Sequence, residues 1–271
     1  MAYMTVNGVN IYYELAGKKD AKETVAFFNG VMASTNSWTS QRKLFEKFGF
    51  KILLHDFKGQ LLSEKPVGPY SFAQHTLEAK LLMKELGIER VHIIGTSYGG
   101  EVALKFAIDY PEMVNSISVI DSVSEIDEVL KLFVKGWREA AGQRDAKKFF
   151  WSMVPTIYHS SFISENKKML EERARVLEKV PEDYYEGQIA LYDTFVSDVH
   201  MTDDLRKIKA PALVVCGEDD ILKPRKFSKI IADAITRSEF AVIPDCGHVT
   251  IFEKPEVLNS LLLGFVMKNS N

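Results

Sequence analysis

Cysteine is scarce in this chain, with Cys216 and Cys246 alone among 271 residues. Two thiols so far apart build no disulfide framework, and neither belongs to a CxxC pair with metal-ligand spacing, so both read as small buried residues. The histidines His55, His75, His92, His159, His200 and His248 form no HExxH or comparable grouping. No metal and no cofactor are therefore expected. No apolar run approaches the length of a membrane-spanning helix, and the opening MAYMTVNGVNIYYELAG lacks the basic start and unbroken apolar stretch of a signal peptide. A cytoplasmic protein without membrane association is the expectation. Lys and Arg number 34 against 37 Asp and Glu, a net charge of -3, which leaves no basic footprint for nucleic acid. The expected partner is a small molecule, with the chain itself a monomer or homodimer.

What the chain does have is an alternation of apolar strands and amphipathic helices. Met4 to Leu15 reads as a hairpin turning at Asn7-Gly8, a pair able to supply positive φ angles. Short apolar runs follow at Thr24 to Phe28, Phe50 to Phe57, Val91 to Thr96 and Val114 to Ile120, separated by helical segments, one of them capped by Ser71. Continuous apolar strands separated by helices predict an α/β protein, with a mostly parallel sheet covered on both faces. From 123 to 205 the strand signals stop. Four helical segments take over, the first read with Ser124 as its cap and the fourth opened by Pro181. Strands resume after Pro211, and a final helix starts at Pro255. The expected organisation is a core of residues 1–122 and 206–271 with a four-helix insertion at 123–205.

The stretch VHIIGTSYGG, Val91 to Gly100, carries the chemistry. A strand runs into Gly95-Thr96-Ser97-Tyr98-Gly99 and a helix follows. Glycine two positions either side of Ser97 is what so tight a turn requires, since side chains there would collide with the neighbouring strand or helix. Ser97 is thereby exposed in a strained conformation at the tip of the sheet. The Tyr98 N–H opens the helix, where unpaired donors favour negative charge. A serine hydroxyl attacks only if a base takes its proton, and the base needs an acid to hold its tautomer. Loops after the C-terminal ends of parallel strands converge on one edge. His248 follows the last strand and is the candidate base. Among GEDDILKP, Asp220 is the favoured acid, with Asp121 or Asp219 as alternatives.

These segments resemble the α/β-hydrolases. GTSYGG resembles the nucleophile elbow, GEDDILKP the acid segment and DCGHVTIFEKPE the histidine segment, in the order serine, aspartate, histidine. The resemblance covers the strand-rich core and leaves the helical insertion as a cap. It implies an oxyanion hole formed by the N–H groups of Tyr98 and Val31. It also exposes two departures: Asn29-Gly30 stands where many relatives have His-Gly, and DFKGQLLS, Asp56 to Ser63, carries Lys58 and Leu61 where relatives often have arginine and glycine. The size and helical insertion look most like the carboxylesterase and enol-lactonase-like group. The expected activity is hydrolysis of carboxylic esters through an acyl-enzyme, Ser97 attacking, His248 relaying the proton and Asp220 orienting His248. Met32, Trp38, Trp137, Phe150, Ile221 and Val249 are candidate apolar pocket residues. Lactone hydrolysis is the alternative. From a different class, a ligand-binding receptor with little turnover could use the same fold.

Overall fold

The computed structural model describes residues 2–270. Strands β1 (Ala2–Val6) and β2 (Val9–Gly17) form the hairpin, with Asn7 and Gly8 at φ 50° and 77° in its turn. Then come β3 (Thr24–Phe28), α1 (Thr39–Lys47), β4 (Lys51–His55), α2 (Phe72–Glu85), β5 (Val91–Thr96), α3 (Tyr98–Asp109) and β6 (Val114–Ile120). Five helices follow: α4 (Glu128–Gly142), α5 (Ala146–Ile157), α6 (Ser160–Glu165), α7 (Lys167–Leu177) and α8 (Asp183–Asp198). The chain closes with β7 (Ala212–Gly217), α9 (Arg225–Ala234), β8 (Ser238–Ile243), α10 (Thr250–Glu253) and α11 (Pro255–Lys268).

The strands make one sheet in the order β1-β2-β4-β3-β5-β6-β7-β8, parallel from β4 onward, with β1 and β2 antiparallel at one edge. Side chains alternate between its faces, and both faces are apolar. Phe28, Leu53, Ile93 and Val119 pack on the side of α2 and α3, while Phe27, Leu54, Ile94 and Ile120 pack on the side of α1 and α11. Burying each such phenylalanine or aliphatic side chain contributes about 1.5–3 kcal/mol. The strand order reverses around β3 and β5, where the loops at their C-terminal ends part and leave a crevice.

The α-helices between β6 and β7 number five where four were expected, because Ser160–Glu165 forms a short helix of its own between α5 and α7. Helix α4 starts later than Ser124: Asp127 is its N-cap and accepts from the Leu130 N–H at 2.9 Å, whereas the Ser124 hydroxyl pairs with Thr202 Oγ1. A carboxylate directly before the helix is the stronger acceptor at the positive end of the dipole. Helix α8 meets the core backbone to backbone. A Cβ added at Gly187 would lie 2.2 Å from Gly59 O, so only glycine permits this approach. Among the described residues no helix is long and apolar enough to cross a membrane, and no group of three or more metal-ligating side chains is gathered.

Candidate active site

Strand β5 ends at Thr96, α3 begins at Tyr98, and Ser97 between them has φ 52° and ψ -123°, a conformation a residue with a Cβ rarely adopts. Three neighbours hold it there. The Ser97 N–H donates to Ile120 O at 2.8 Å, and the Ser122 hydroxyl donates to Ser97 O at 2.9 Å. The third is the packing of the flanking glycines: a Cβ at Gly95 would sit 2.3 Å from Gly99 O, and one at Gly99 would sit 2.0 Å from Phe28 O. The turn closes only because both positions lack side chains.

Two further strand ends bring His248 and Asp220 to this serine. His248 Nε2 lies 3.0 Å from Ser97 Oγ, and His248 Nδ1 lies 2.8 Å from Asp220 Oδ2. The other Asp220 oxygen accepts from the Leu222 and Lys223 N–H groups at 2.9 and 2.8 Å, which fixes the carboxylate's rotation. All of these side chains are buried except at the serine. The alternative acids are engaged elsewhere. Asp121 accepts from the Gly217 N–H and from Thr250, and burial, reinforced by the Asp220 charge, holds its carboxyl well above the usual range. Asp219 is exposed, 3.5 Å from His159 Nε2. The His248 N–H donates to Ile157 O, so the end of α5 grips the histidine loop.

Opposite the elbow runs the loop after β3. A Cβ at Gly30 would meet Ser97 Cβ and Thr96 O at 3.3 Å, so this loop passes directly beside the serine. Among the described residues neither the Val31 nor the Tyr98 N–H has a hydrogen-bond acceptor. Asn29 takes the place of the usual histidine as a brace. Its Nδ2 donates toward His55 O, Asp56 Oδ1 and Gln60 Oε1 at 2.9–3.1 Å, and its Oδ1 accepts from Trp38 Nε1 at 2.8 Å. Gln60 in turn donates to Gly30 O at 2.8 Å. Burial pushes the Asp56 carboxyl up to about 6, against the hydrogen bonds from Leu62, Thr35 and Asn29. From α8, Gln188 Oε1 accepts from the Met32 N–H at 3.0 Å and steadies a residue at φ 56°. The second departure is absorbed by the core: Lys58 is buried and donates to Glu78 and Gln74 at 2.8 and 2.9 Å.

A cavity of about 410 Å³ opens in front of Ser97 and His248. Of the candidate pocket residues, Met32, Trp137, Phe150 and Val249 line it. Trp38 and Ile221 do not. The Trp38 ring packs on Phe27 at 4.8 Å with its N–H spent on Asn29, because the 3₁₀ turn Thr35–Trp38 directs it into the face shared with α1. Ile221 is 55% exposed, since the backbone turns around Asp220 and leaves residue 221 on its outside. The sequence reading assigned no charged residue to the pocket, yet Arg173 of α7 lines it, its guanidinium 2.6 Å from Tyr158 Oη and 4.0 Å from the Phe252 ring centre. It also missed Lys223, whose ammonium stands 3.2 Å from Ser97 Oγ and 2.9 Å from Glu101 Oε1. Their positions, four residues after Ser97 and three after Asp220, were the available signal: a charge of each sign falls inside a segment that must be buried. Cys216 and Cys246 are free and buried, and burial pushes the Cys216 thiol up to about 12.

The chain belongs to the alpha/beta hydrolase family, whose sequence model, described as alpha/beta hydrolase fold, matches residues 23–255. Over 266 residues it is 25% identical to a protein named carbamate hydrolase RutD from a Caulobacter species, covering 97% of each chain. It is 28% identical to the 2-hydroxy-6-oxononadienedioate/2-hydroxy-6-oxononatrienedioate hydrolase of Paraburkholderia phymatum, over 95% of this chain and 91% of that one. An alpha/beta hydrolase enzyme from a Medee basin deep-sea metagenome library superposes with a TM-score of 0.92 at 29% identity, covering 98% of this chain and 97% of the other. Hydrolase chemistry on this fold is thus common to the relatives, while the bonds their names imply differ.

Proposed function

We propose that the protein is a serine hydrolase that cleaves carboxylic esters of small to medium hydrophobic substrates through an acyl-enzyme, with residues 123–205 serving as a cap. The observation that carries this reading is the Ser97 hydroxyl, 3.0 Å from His248 Nε2, at the wall of a largely apolar cavity. In the forward step Ser97 Oγ attacks the carbonyl carbon as its proton passes to His248 Nε2. Asp220, bonded to Nδ1, keeps the imidazole in the tautomer whose Nε2 is free and stabilises the imidazolium. The negative oxygen of the tetrahedral intermediate is received by the Val31 and Tyr98 N–H groups, each such donor contributing about 3–4 kcal/mol to barrier lowering in comparable sites. His248 then protonates the departing alkoxide, and water, activated by the same histidine, releases the acid.

Turnover of a chain-length series of p-nitrophenyl esters and several lactones, compared between wild type and Ser97→Ala, tests this. Rapid ester hydrolysis lost in the variant is the expected result, with the preferred acyl length reading the cavity. Ester hydrolysis that survives Ser97→Ala refutes the proposal, and turnover confined to lactones replaces it with the lactonase reading.

A further inference from the structure

Lys223 and Glu101 form an ion pair with 4% and 0% side-chain exposure, directly beside Ser97. Burying two charges is costly even when they are paired, and well-packed apolar residues commonly do as well. Helix α3 is otherwise apolar around Glu101, with Val102, Ala103, Leu104 and Phe106 all buried. Each residue is delivered by the backbone segment that also positions a member of the site, Glu101 by the first turns after Ser97 and Lys223 by the turn around Asp220.

The hydrogen-bond inventory of Ser97 Oγ shows what the pair can do. The oxygen has one hydrogen and two lone pairs, and an ammonium can only donate. Lys223 Nζ, 3.2 Å away, therefore donates into a lone pair, so the hydroxyl hydrogen is directed to His248 Nε2 at 3.0 Å. The rest of the ammonium is engaged by Glu101 Oε1 at 2.9 Å and by the Phe195 ring, whose centre is 4.7 Å away. Glu101 Oε1 also accepts from the Val123 N–H at 2.9 Å, which ties the anchor to the end of β6. The ammonium is thus held between Glu101 Oε1 and the nucleophilic oxygen, outside the substrate cavity.

We propose that Lys223 is a further catalytic residue, its ammonium donating to Ser97 Oγ throughout the cycle, with Glu101 as its positioning residue. The proposal rests on Ser97 being the nucleophile. In acylation the Oγ–C bond forms while the Oγ proton passes to His248, and the ammonium stabilises the oxygen as that proton leaves. In deacylation water gives its proton to His248 and adds to the carbonyl. The C–Oγ bond then breaks with its electron pair on Oγ, which recovers the proton from His248. Lys223 keeps its own proton in both halves.

Replacing Lys223 alone strands a buried carboxylate and can unfold the protein for that reason, so the test is Glu101→Gln/Lys223→Met, which removes both charges. The readouts are the rate of Ser97 phosphonylation by a fluorophosphonate, followed by intact mass, and the steady-state kinetics of p-nitrophenyl acetate, with thermal melting as the folding control. The expected outcome is a folded protein whose phosphonylation rate and kcat fall about 10- to 100-fold, as for one withdrawn charged hydrogen bond, with KM nearly unchanged. Glu101→Gln/Lys223→Gln, which restores a neutral donor, is expected to regain part of the loss. A folded Glu101→Gln/Lys223→Met variant reacting within about twofold of wild type overturns the proposal, a ratio too small for a charged hydrogen bond. If wild-type Ser97 is phosphonylated but turns over no ester, the ester reading fails and the labelling rates still decide the role of Lys223. If wild-type Ser97 is not labelled at all, both fall together.

Discussion

Asp220→Asn is the substitution whose consequence the geometry dictates most closely. The side chain keeps its shape, so the effect must come from hydrogen-bond direction. Asp220 Oδ1 accepts from two backbone N–H groups, and Oδ2 accepts from His248 Nδ1. An asparagine that keeps its oxygen toward the backbone turns its NH₂ to Nδ1. The imidazole must then carry its hydrogen on Nε2, facing Ser97 Oγ, where it cannot accept the serine proton. Recovering the working tautomer means flipping the amide, which points its NH₂ at both backbone donors and strands them. Each stranded buried donor costs about 1–3 kcal/mol, so the productive arrangement lies about 2–6 kcal/mol higher. Loss of the positive form's stabilisation adds to this, and kcat for p-nitrophenyl acetate should fall about 10⁴-fold. Asp121→Asn is the internal comparison. Asp121 is also buried and close enough to feel the charge of Asp220, but it bonds Gly217 and Thr250. It should lower the melting temperature while kcat stays within about tenfold of wild type, since surplus carboxylates away from the base take no part in the proton transfer. A small effect at Asp220, or an equal one at Asp121, would refute the assignment.

Three further outcomes follow from the same coordinates. Gly99→Ala places a Cβ 2.0 Å from Phe28 O and 2.7 Å from Asn29 O, both backbone atoms, whereas a Cβ at Gly136 within α4 meets nothing within 4 Å. Urea denaturation should therefore show Gly99→Ala losing about 3 kcal/mol or more and Gly136→Ala gaining about 0.5–1 kcal/mol. His55 is fully buried among Phe28 and Phe57, with neither ring nitrogen bonded, and burial lowers its pKa from 6.5 to about 4. The folded state then resists a proton that the unfolded chain accepts below pH 6.5, so about 3 kcal/mol present above that pH is lost as pH falls to about 4. His55→Phe should remove that part of the acid sensitivity, and unchanged melting profiles between pH 7 and pH 5 would contradict it. Gln188→Leu frees the Met32 N–H and should lower kcat roughly tenfold with little change in melting temperature, because one neutral hydrogen bond to the loop proposed to receive the oxyanion is withdrawn.

The elbow, the mostly parallel sheet and the placing of Ser97, Asp220 and His248 after strand ends were legible in the chain because each follows from a local pattern, whereas the order of the strands was not. A tight turn needs glycine at 95 and 99, parallel strands put their following loops on one edge, and an acid and a histidine after the last two strands can reach only that edge. The cavity was legible in part, since which aromatic faces it depends on how five helices pack, a tertiary matter no periodicity encodes. Trp38 shows the difficulty. As a large aromatic just beyond the loop after β3 it could have faced substrate, and what decides otherwise is Asn29 Oδ1, an acceptor nine residues earlier. The same asparagine explains how the loop tolerates the loss of the usual histidine. An imidazole offers one donor and one acceptor when neutral, whereas the Asn29 amide meets one donor and three acceptors, among them Gln60, which continues the brace to Gly30. Asn29 and Gln60 thus act as one brace: the amide at position 29 donates to Gln60, which in turn donates to the carbonyl of the residue before Val31. Removing either amide should loosen the same backbone N–H that the proposed mechanism asks to receive the oxyanion.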